Sequence, residues 1–438
     1  MEVISIIIAL ISFLLGSVII HKFIIPINER PVHFANWYYF FEFGLMSFLA
    51  IFLLSDTPNL YWGLKSIPAE HFESVKITVN FFMAWIAIAF PLGMLLSDKL
   101  FKKLNFKNNI LEYYNKPTLL VSRFELILLL FSIIFTSYII YKIGFIPQLK
   151  MLSITKLEAA QLRNQLTFNF PANVHLKELV GMHLIIIFCF SSYLRFLNEK
   201  TYKNVIIFSL FLSMSIFFVS INLNKSGIAF LFIGLVFCYT LENNIGFKAI
   251  ALTIISIIVL MISSYYVTYK KNPINLLSGI KNRIIYSQTF GNYLSVYYFP
   301  EQIEHIGLSS ISRTIEKMGF EYKENSAKQI MNKIKKDEKD KKVSGYMVSH
   351  YMAEAWANFG LLGVLLSPLY IGFLIKSLLG IIINQRRTPL FMGLFVFISY
   401  KLATISGFNH ILIPRYLIIT FIILFIFEKF LNKGELKS

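Results

Sequence analysis

Long apolar runs constrain the fold of this chain more than any other feature of its sequence. Stretches of about 20 predominantly apolar residues recur along the 438 residues, and hydrophobic residues make up 56% of the total. A helix of that length matches the hydrocarbon thickness of a bilayer, whereas a soluble core does not need so many such runs. The sequence therefore predicts an all-α, polytopic integral membrane protein.

The pattern predicts about eleven transmembrane helices. They fall near residues 3–21, 36–54, 77–97, 124–143, 179–197, 205–221, 227–241, 247–267, 352–376, 389–406 and 411–428. The predicted organisation is a bundle of eight spans over residues 1–267, which includes a loop at 144–178. A large loop over 268–351 follows, and residues 352–438 supply the last three spans and a tail.

The distribution of lysine and arginine predicts the orientation. Basic residues concentrate in the short connections 98–123 and 377–388 and in the C-terminal tail, which the positive-inside rule places in the cytoplasm. An odd number of spans then puts the N-terminus and the two larger loops, 144–178 and 268–351, outside. Membrane topology and anionic lipid thus account for the net charge of +18, and no nucleic-acid partner is expected.

Both outward loops contain segments with amphipathic patterns. Apolar residues recur at helical spacing over 152–166 and again within 324–340, which predicts a helix in each stretch. Residues 275–299 are amphipathic and rich in aromatic side chains. That composition predicts a segment lying on the membrane surface.

Polar residues with helical spacing mark the point where the large loop becomes a span. His350, Glu354 and Asn358 follow one another at intervals of four, so a helix would place them along one stripe. A carboxylate entering a membrane span is costly, and we expect Glu354 to face protein or a water-filled cavity. The alternative is that His350 and Glu354 lie at the water interface without a function.

The same region carries a family resemblance. A long polar loop running into AEAWANFGLLGVLLSPLYIGFL (353–374) resembles the oligosaccharide repeat-unit polymerases, the O-antigen polymerases of the Wzy type. The likeness covers most of the chain as architecture and this segment alone as sequence. It implies a glycosyltransferase of the bacterial inner membrane, acting on the periplasmic side. The product would be a lipopolysaccharide O-antigen, a capsule or an exopolysaccharide.

The resemblance also implies the reactants and partners. Undecaprenyl-diphosphate-linked oligosaccharide serves as both donor and acceptor within the lipid bilayer, so no cofactor, metal or nucleotide sugar is expected. A chain-length regulator and a flippase are the implied protein partners. In this reaction an acceptor hydroxyl attacks the anomeric carbon of the donor, and the lipid diphosphate leaves with added negative charge.

These chemical demands select the candidate site residues. A general base must lie within hydrogen-bond reach of the acceptor hydroxyl, and His350 and Glu354 are the predicted catalytic residues. His350 is favoured as the base because an ordinary imidazole titrates near neutrality, at about pH 6.5. Arginine binds phosphate oxygens bidentately. The predicted residues for binding diphosphate or glycan are Arg163, Lys225, Arg283, Asn358, His410 and Arg415.

The arginines depart from one pattern of the family. Some members carry, in each of two outward loops, an arginine followed eleven residues later by glycine. Here Val174 stands eleven residues beyond Arg163, and Leu294 eleven beyond Arg283, so the two arginines are assigned by location alone. Arg163 has the alternative of being an exposed position on a surface helix, and Lys225 of reaching lipid headgroups.

Two other functions fit the same architecture. An O-antigen ligase-like enzyme would use the same donor with a different acceptor, and a flippase or transporter would move the lipid-linked unit. The sequence has no Gly-rich phosphate loop for ATP-driven transport and no repeated halves of the kind that transporters show. Polymerisation is therefore the favoured interpretation.

Overall fold

A computed structural model describes residues 1–25, 33–55, 62–100, 112–120, 125–151, 153–223, 225–243, 286–312, 316, 319, 321–335, 347–403 and 407–433. Every regular element within these ranges is helical. The α-helices of eight or more residues are α1 Glu2–Ile19, α2 Ala69–Leu100, α3 Glu125–Ile143, α4 Lys156–Phe168, α5 Ile185–Asn198, α6 Tyr202–Ser220, α7 Lys225–Glu242, α8 Ser287–Tyr298, α9 Ser326–Ile334, α10 Tyr351–Ile383, α11 Pro389–Ala403 and α12 Arg415–Lys433.

Seven helical stretches within these ranges are long and apolar enough to cross a membrane. They are Glu2–Ile24, Ala69–Lys99, Glu125–Ile143, Val174–Asn198, Tyr202–Ser220, Tyr351–Ile383 and Phe408–Lys429. Each overlaps one of the predicted spans. The result confirms an all-helical architecture for the described residues and is consistent with a polytopic membrane protein.

The other four predicted spans are not among these seven stretches. Those near 227–241 and 389–406 correspond to shorter apolar helices, Ser226–Glu242 and Pro389–Ser399. The span near 36–54 is helical, with a wide π-helical segment followed by a short α-helix. The span near 247–267 lies outside the described residues, so the count of about eleven is not confirmed.

The chain divides into two compact units, each built from three separate stretches of sequence. Unit 1 comprises Met1–Lys107, Ile254–Leu378 and Leu402–Ile413. Unit 2 comprises Asn108–Thr253, Leu379–Lys401 and Pro414–Ser438. The three stretches of each unit are not consecutive in the sequence, because helices that pack together are distant in sequence.

Small residues bring the helices of unit 1 together. The backbone of α10 passes so close to Gly93 in α2 that a Cβ atom there would overlap it, and Gly372 in α10 meets the backbone of α2 in the same way. Such close approach favours helix packing in membranes. It also lets Asp98 and Lys376 form an ion pair between the two helices, which offsets the cost of each charge in an apolar setting.

Buried arginines organise unit 2. Arg195 in α5 pairs with Glu125 in α3, with nitrogen and oxygen 2.9 Å apart. Arg387 donates hydrogen bonds to the carbonyl oxygens of Leu241, at 2.8 Å, and Lys116, and it lies 3.5 Å from the Glu242 carboxylate. Arg387 is one of the basic residues from which the cytoplasmic side was predicted. It also joins three separate segments of unit 2.

Removal of the Arg387 side chain should destabilise the protein substantially. Arg387→Ala would leave Glu242 and two carbonyl groups without their buried partner, and breaking a buried ion pair typically costs about 3–5 kcal/mol. We expect a lower melting temperature for the purified variant in detergent. Arg386→Ala, at the exposed neighbouring position, is the control. Equal melting temperatures for the two variants would contradict this role.

Two of the three predicted loop segments are confirmed. Helix α4 occupies most of the predicted stretch but begins one residue after Thr155, which caps it together with Glu158. Hydrogen bonds from the Thr155 backbone and hydroxyl lower the pKa of Glu158. Helix α9 lies within 324–340, and its Ile330 and Met331 are buried as the apolar pattern predicts.

The third loop prediction is wrong for the part that the structure describes. Helix α8 was expected on the membrane surface, but it is buried within unit 1, where Tyr293 and Leu294 have no exposed surface. The Tyr293 hydroxyl donates to the Ile51 carbonyl at 2.8 Å, and Gly291 allows residues 347–349 to pack against the helix. An amphipathic pattern requires an apolar neighbour but does not say whether that neighbour is lipid or protein.

Candidate functional site

The long helix α10 is interrupted where its polar stripe ends. Gly360 has φ +58° and ψ −142°, a conformation outside the helical region and unfavourable for residues with a side chain. Before the break, the Ala357 carbonyl accepts a hydrogen bond from the Ile306 amide at 3.0 Å, and the His305 ring packs beside Gly360. Irregular backbone within a span is tolerated where protein surrounds it.

Glu354 is held inside unit 1 by a residue that the sequence analysis did not select. Its carboxylate accepts hydrogen bonds from the backbone amide of Asn409 at 3.0 Å and from the Asn409 side-chain amide at 3.1 Å. The residue is only 6% exposed. The expectation that Glu354 faces protein rather than lipid is confirmed in the described residues, and the partner is an amide rather than a cation.

Asn358 belongs to the same group of buried polar side chains. Its side-chain amide donates to Oδ1 of Asn409 at 2.7 Å and accepts from the Ser310 hydroxyl at 3.1 Å. The structure therefore brings together Glu354, Asn358, Asn409 and Ser310, which we call the Glu354–Asn409 cluster. It fastens the first part of α10 to the Phe408–Leu412 helix and to the turn at Gly307–Ser310.

His350 lies in unit 1 immediately before α10. Its Nε2 atom is 3.4 Å from the Tyr38 hydroxyl, and its backbone amide donates to the Asn292 side chain at 3.1 Å. Burial lowers the pKa of His350 to about 3. The imidazole is therefore neutral near pH 7 and a weaker base than the value of about 6.5 assumed from sequence. The catalytic role of His350 stays a prediction.

The other predicted binding residues are dispersed. His410 is exposed on the Phe408–Leu412 helix of unit 1. In unit 2, Arg163 is exposed on α4 and Arg415 is exposed at the start of α12. Lys225 begins α7, but its side chain lies outside the described part of the structure, and Arg283 lies outside it altogether.

Arg415 belongs to a group of side chains in unit 2 that the sequence analysis did not assemble. Its guanidinium donates to the Tyr416 hydroxyl at 3.1 Å and lies 4.7 Å from the centre of the Tyr416 ring. The same hydroxyl is 2.6 Å from Nδ1 of His175. Nearby, Nδ1 of His183 is 3.2 Å from the Thr420 hydroxyl. These contacts join the start of α12 to the start of the Val174–Asn198 span.

Two lysines add positive charge to this region. Lys177 is 1% exposed, and its Nζ atom lies 3.7 Å from a Glu178 oxygen and 4.4 Å from the centre of the Phe170 ring. Lys401 also interacts electrostatically with Glu178. We call this group the cationic cluster: it contains His175, Lys177, Glu178, His183, Lys401 and Arg415.

The cationic cluster is chemically suited to an anion. Lys177, Lys401 and Arg415 are basic side chains, and Glu178 supplies a carboxylate beside the two lysines. The positive ends of two helix dipoles lie at the same place, because α12 and the Val174–Asn198 stretch both begin there. The sequence shows basic residues at the start of two apolar runs. It does not show that these two runs pack together and bring the basic residues close to each other.

The described residues thus contain a buried carboxylate–amide cluster with a nearby neutral imidazole in unit 1, and a group of basic side chains in unit 2. The first can orient a polar group through hydrogen bonds. The second can bind a negatively charged group. No protein-family model, curated protein or solved structure matches this chain, so its function has to be argued from these two clusters and from the membrane architecture.

Proposed function

We propose that this chain is a membrane glycosyltransferase that polymerises undecaprenyl-diphosphate-linked oligosaccharide repeat units into an O-antigen, a capsule or an exopolysaccharide. It resides in the bacterial inner membrane with about eleven spans and an active site facing the periplasm. A chain-length regulator and a flippase act with it. The resemblance of residues 353–374 to the Wzy-type polymerases supports this substrate class.

The cationic cluster is the observation that carries the proposal. A lysine as buried as Lys177, at the start of a membrane span, is energetically costly unless negative charge accompanies it. Glu178 lies beside Lys177 and Lys401, and Arg415 is exposed at the start of α12, where its guanidinium can meet a further anion. A diphosphate suits such a group, and fixed positive charge has its largest effect where negative charge develops on a leaving group.

The proposed reaction forms one glycosidic bond and breaks one bond to phosphate. An acceptor hydroxyl attacks the anomeric carbon of the donor, the diphosphate departs with the electron pair, and the acceptor's proton passes to a base. His350 is the proposed base. Glu354 is a positioning residue, because both oxygens of its carboxylate accept hydrogen bonds from Asn409.

The remaining candidates keep the roles that the resemblance suggests. Arg163, Arg283, Lys225 and Arg415 are assigned to the diphosphate, and His410 to the glycan. Asn358 acts indirectly, since its amide is already engaged by Asn409 and Ser310.

Surface glycan length in a deletion strain tests the proposal. Loss of a polymerase should leave single repeat units attached to their final acceptor. Complementation with the unmodified gene should restore polymer, whereas Lys177→Met should not, because it keeps the apolar stem but removes the charge. Lys142→Met, at an exposed lysine of α3, should restore polymer and serves as the matched control.

Other outcomes would overturn the proposal. Full-length polymer that is not attached to its acceptor would identify a ligase. Repeat units retained on the cytoplasmic side would identify a flippase. Unchanged glycan in the deletion strain would remove the chain from surface polysaccharide synthesis.

A further inference from the structure

Helix α8 carries a polar stripe into the interior of unit 1. Thr289, Asn292 and Ser295 are spaced three residues apart, so they share a face about 120° wide. All three have no exposed surface. The hydroxyls of Thr289 and Ser295 and the Nδ2 atom of Asn292 have no hydrogen-bond partner among the described residues.

The groups beside this stripe have unused hydrogen-bonding capacity as well. Asn292 accepts from the His350 backbone amide at 3.1 Å, and Nδ1 of the His350 ring has no partner in the described part of the chain. His350 in turn lies against Tyr38, whose hydroxyl interacts electrostatically with Glu42. One carboxyl oxygen of Glu42 is also buried without a partner among those residues.

Unmatched polar atoms of this kind are unusual in a folded interior. The large majority of buried side-chain polar atoms have a hydrogen-bond partner, and leaving one unmatched destabilises the protein. Among the buried hydroxyls of the described residues, those of Tyr113 and Ser367 are also unmatched, but neither belongs to a row of such groups along one helix, whereas the α3 hydroxyls are matched. Ser132 and Thr136 in α3 each donate to a carbonyl of their own helix at 2.7 Å. The α8 hydroxyls do not, although the same local acceptors are available in any helix.

The chemistry of the unmatched atoms indicates their partner. Two hydroxyls can donate and accept, the amide nitrogen donates, the ring nitrogen donates or accepts according to its tautomer, and the carboxyl oxygen accepts. Sugar hydroxyls, which donate and accept at adjacent positions, complement such a mixture. The set contains no lysine or arginine, so it does not suit the diphosphate end of a lipid-linked substrate.

We propose that the α8 stripe of Thr289, Asn292 and Ser295, together with His350, binds the hydroxyl groups of the acceptor glycan. The identification of that glycan as a repeat unit rests on the proposed polymerase function, whereas the affinity for sugar hydroxyls does not. The site places an acceptor hydroxyl beside the imidazole that is proposed to take its proton.

Isosteric substitutions separate a ligand site from a structural defect. Thr289→Val and Ser295→Ala remove unmatched hydroxyls without creating a large cavity. We expect each to raise the melting temperature of the ligand-free protein, by roughly 1–3 °C, because an unsatisfied buried group is removed. Thr136→Val and Ser132→Ala remove hydroxyls that have partners, and these controls should not raise it.

The same variants should lose affinity for sugar. The probes are the free repeat-unit oligosaccharide, released from the lipid-linked pool of a deletion strain, and two defined oligosaccharides, maltotriose and chitotriose. We expect each variant to raise the Kd for the probes that bind the unmodified protein about fivefold, the equivalent of one hydrogen bond, while the controls leave it unchanged. In an elongation assay the KM for the acceptor should rise by a similar factor with little change in kcat.

The outcomes distinguish this inference from the proposed function. If the unmodified protein elongates glycan but Thr289→Val and Ser295→Ala match the α3 controls, the glycan site is wrong and the polymerase stands. Stabilisation without a change in affinity, or no binding of any probe by the unmodified protein, also overturns the site. If elongation fails but the affinity loss is observed, the polymerase function is wrong and the sugar site stands.

Discussion

We expect His350→Ala to elongate a lipid-diphosphate-linked oligosaccharide about 10²–10⁴-fold more slowly than the unmodified protein, since general-base catalysis typically contributes that much. The proposal assigns the acceptor's proton to this imidazole, whose ring contacts Tyr38 and whose backbone is fixed by Asn292. The measurement is polymer formation by purified protein in lipid, normalised to the amount of folded protein. His71→Ala, a partly exposed histidine on α2, is the control and should retain its rate.

The pH dependence adds a second test of the same residue. Because burial lowers the pKa of His350 to about 3, the ring stays unprotonated, and therefore competent as a base, from pH 8 down to pH 5. The elongation rate should then show no step near pH 6.5 that depends on His350. An ordinary imidazole would lose its base form as the pH falls through that value.

The lowered pKa of His350 also predicts how the stability of the folded protein changes in acid. In the unfolded chain the imidazole binds a proton below about pH 6.5, whereas in the folded protein it does so only below about pH 3. Its contribution to stability is therefore full above pH 6.5 and is lost as the pH falls from 6.5 towards 3.

Two results would remove His350 from the proposed mechanism. A near-normal rate for His350→Ala would show that no proton transfer through this ring limits elongation. A rate that falls below pH 6.5 in the unmodified protein, but not in the variant, would show that the ring has an ordinary pKa during the reaction. Its burial would then not persist when the substrate is bound.

The second large effect is expected for Glu354→Leu. The substitution removes the acceptor of both Asn409 hydrogen bonds; it leaves the buried backbone amide of Asn409 without a partner, while the side-chain amide keeps Ser310. An unmatched buried donor costs about 1–3 kcal/mol and a lost hydrogen bond about 0.5–1.5 kcal/mol, so the loss is about 1.5–4.5 kcal/mol. That amount is a large fraction of the stability of a typical protein, and little folded protein should be recovered from membranes. Glu73→Leu, at an exposed position of α2, should be recovered normally.

Exchange of the carboxylate and the amide between positions 354 and 409 tests whether their contact accounts for the expected loss of folded protein. Asn409→Asp alone places two carboxylates against each other and should be at least as damaging as Glu354→Leu. Combined with Glu354→Gln, it recreates an amide–carboxylate pair in the opposite order and should recover part of the folded protein. Thermal melting in detergent and size-exclusion profiles provide the measurement. No recovery in the double variant would mean that Glu354 contributes through something other than Asn409.

The local elements of this chain follow from its sequence because they depend on short-range patterns. A run of apolar residues matched to bilayer thickness can satisfy its backbone only as a helix, and seven predicted spans are helical over a spanning length. The α4 and α9 helices follow from apolar spacing and capping residues close in sequence. The burial of Glu354 was predictable too, since a carboxylate at that depth needs surrounding protein.

The sites depended on which helices pack together, and that information is not local. Asn409 meets Glu354 across 55 positions of sequence, and Tyr416 meets His175 across 241. Neither partner has a pattern that distinguishes it from other polar residues at the end of an apolar run. The apolar side of α8 was equally compatible with lipid and with protein, and only packing placed it inside unit 1. Hydrophobic burial is non-directional, so the sequence determined which segments form helices, while tertiary packing decided which polar side chains share a site.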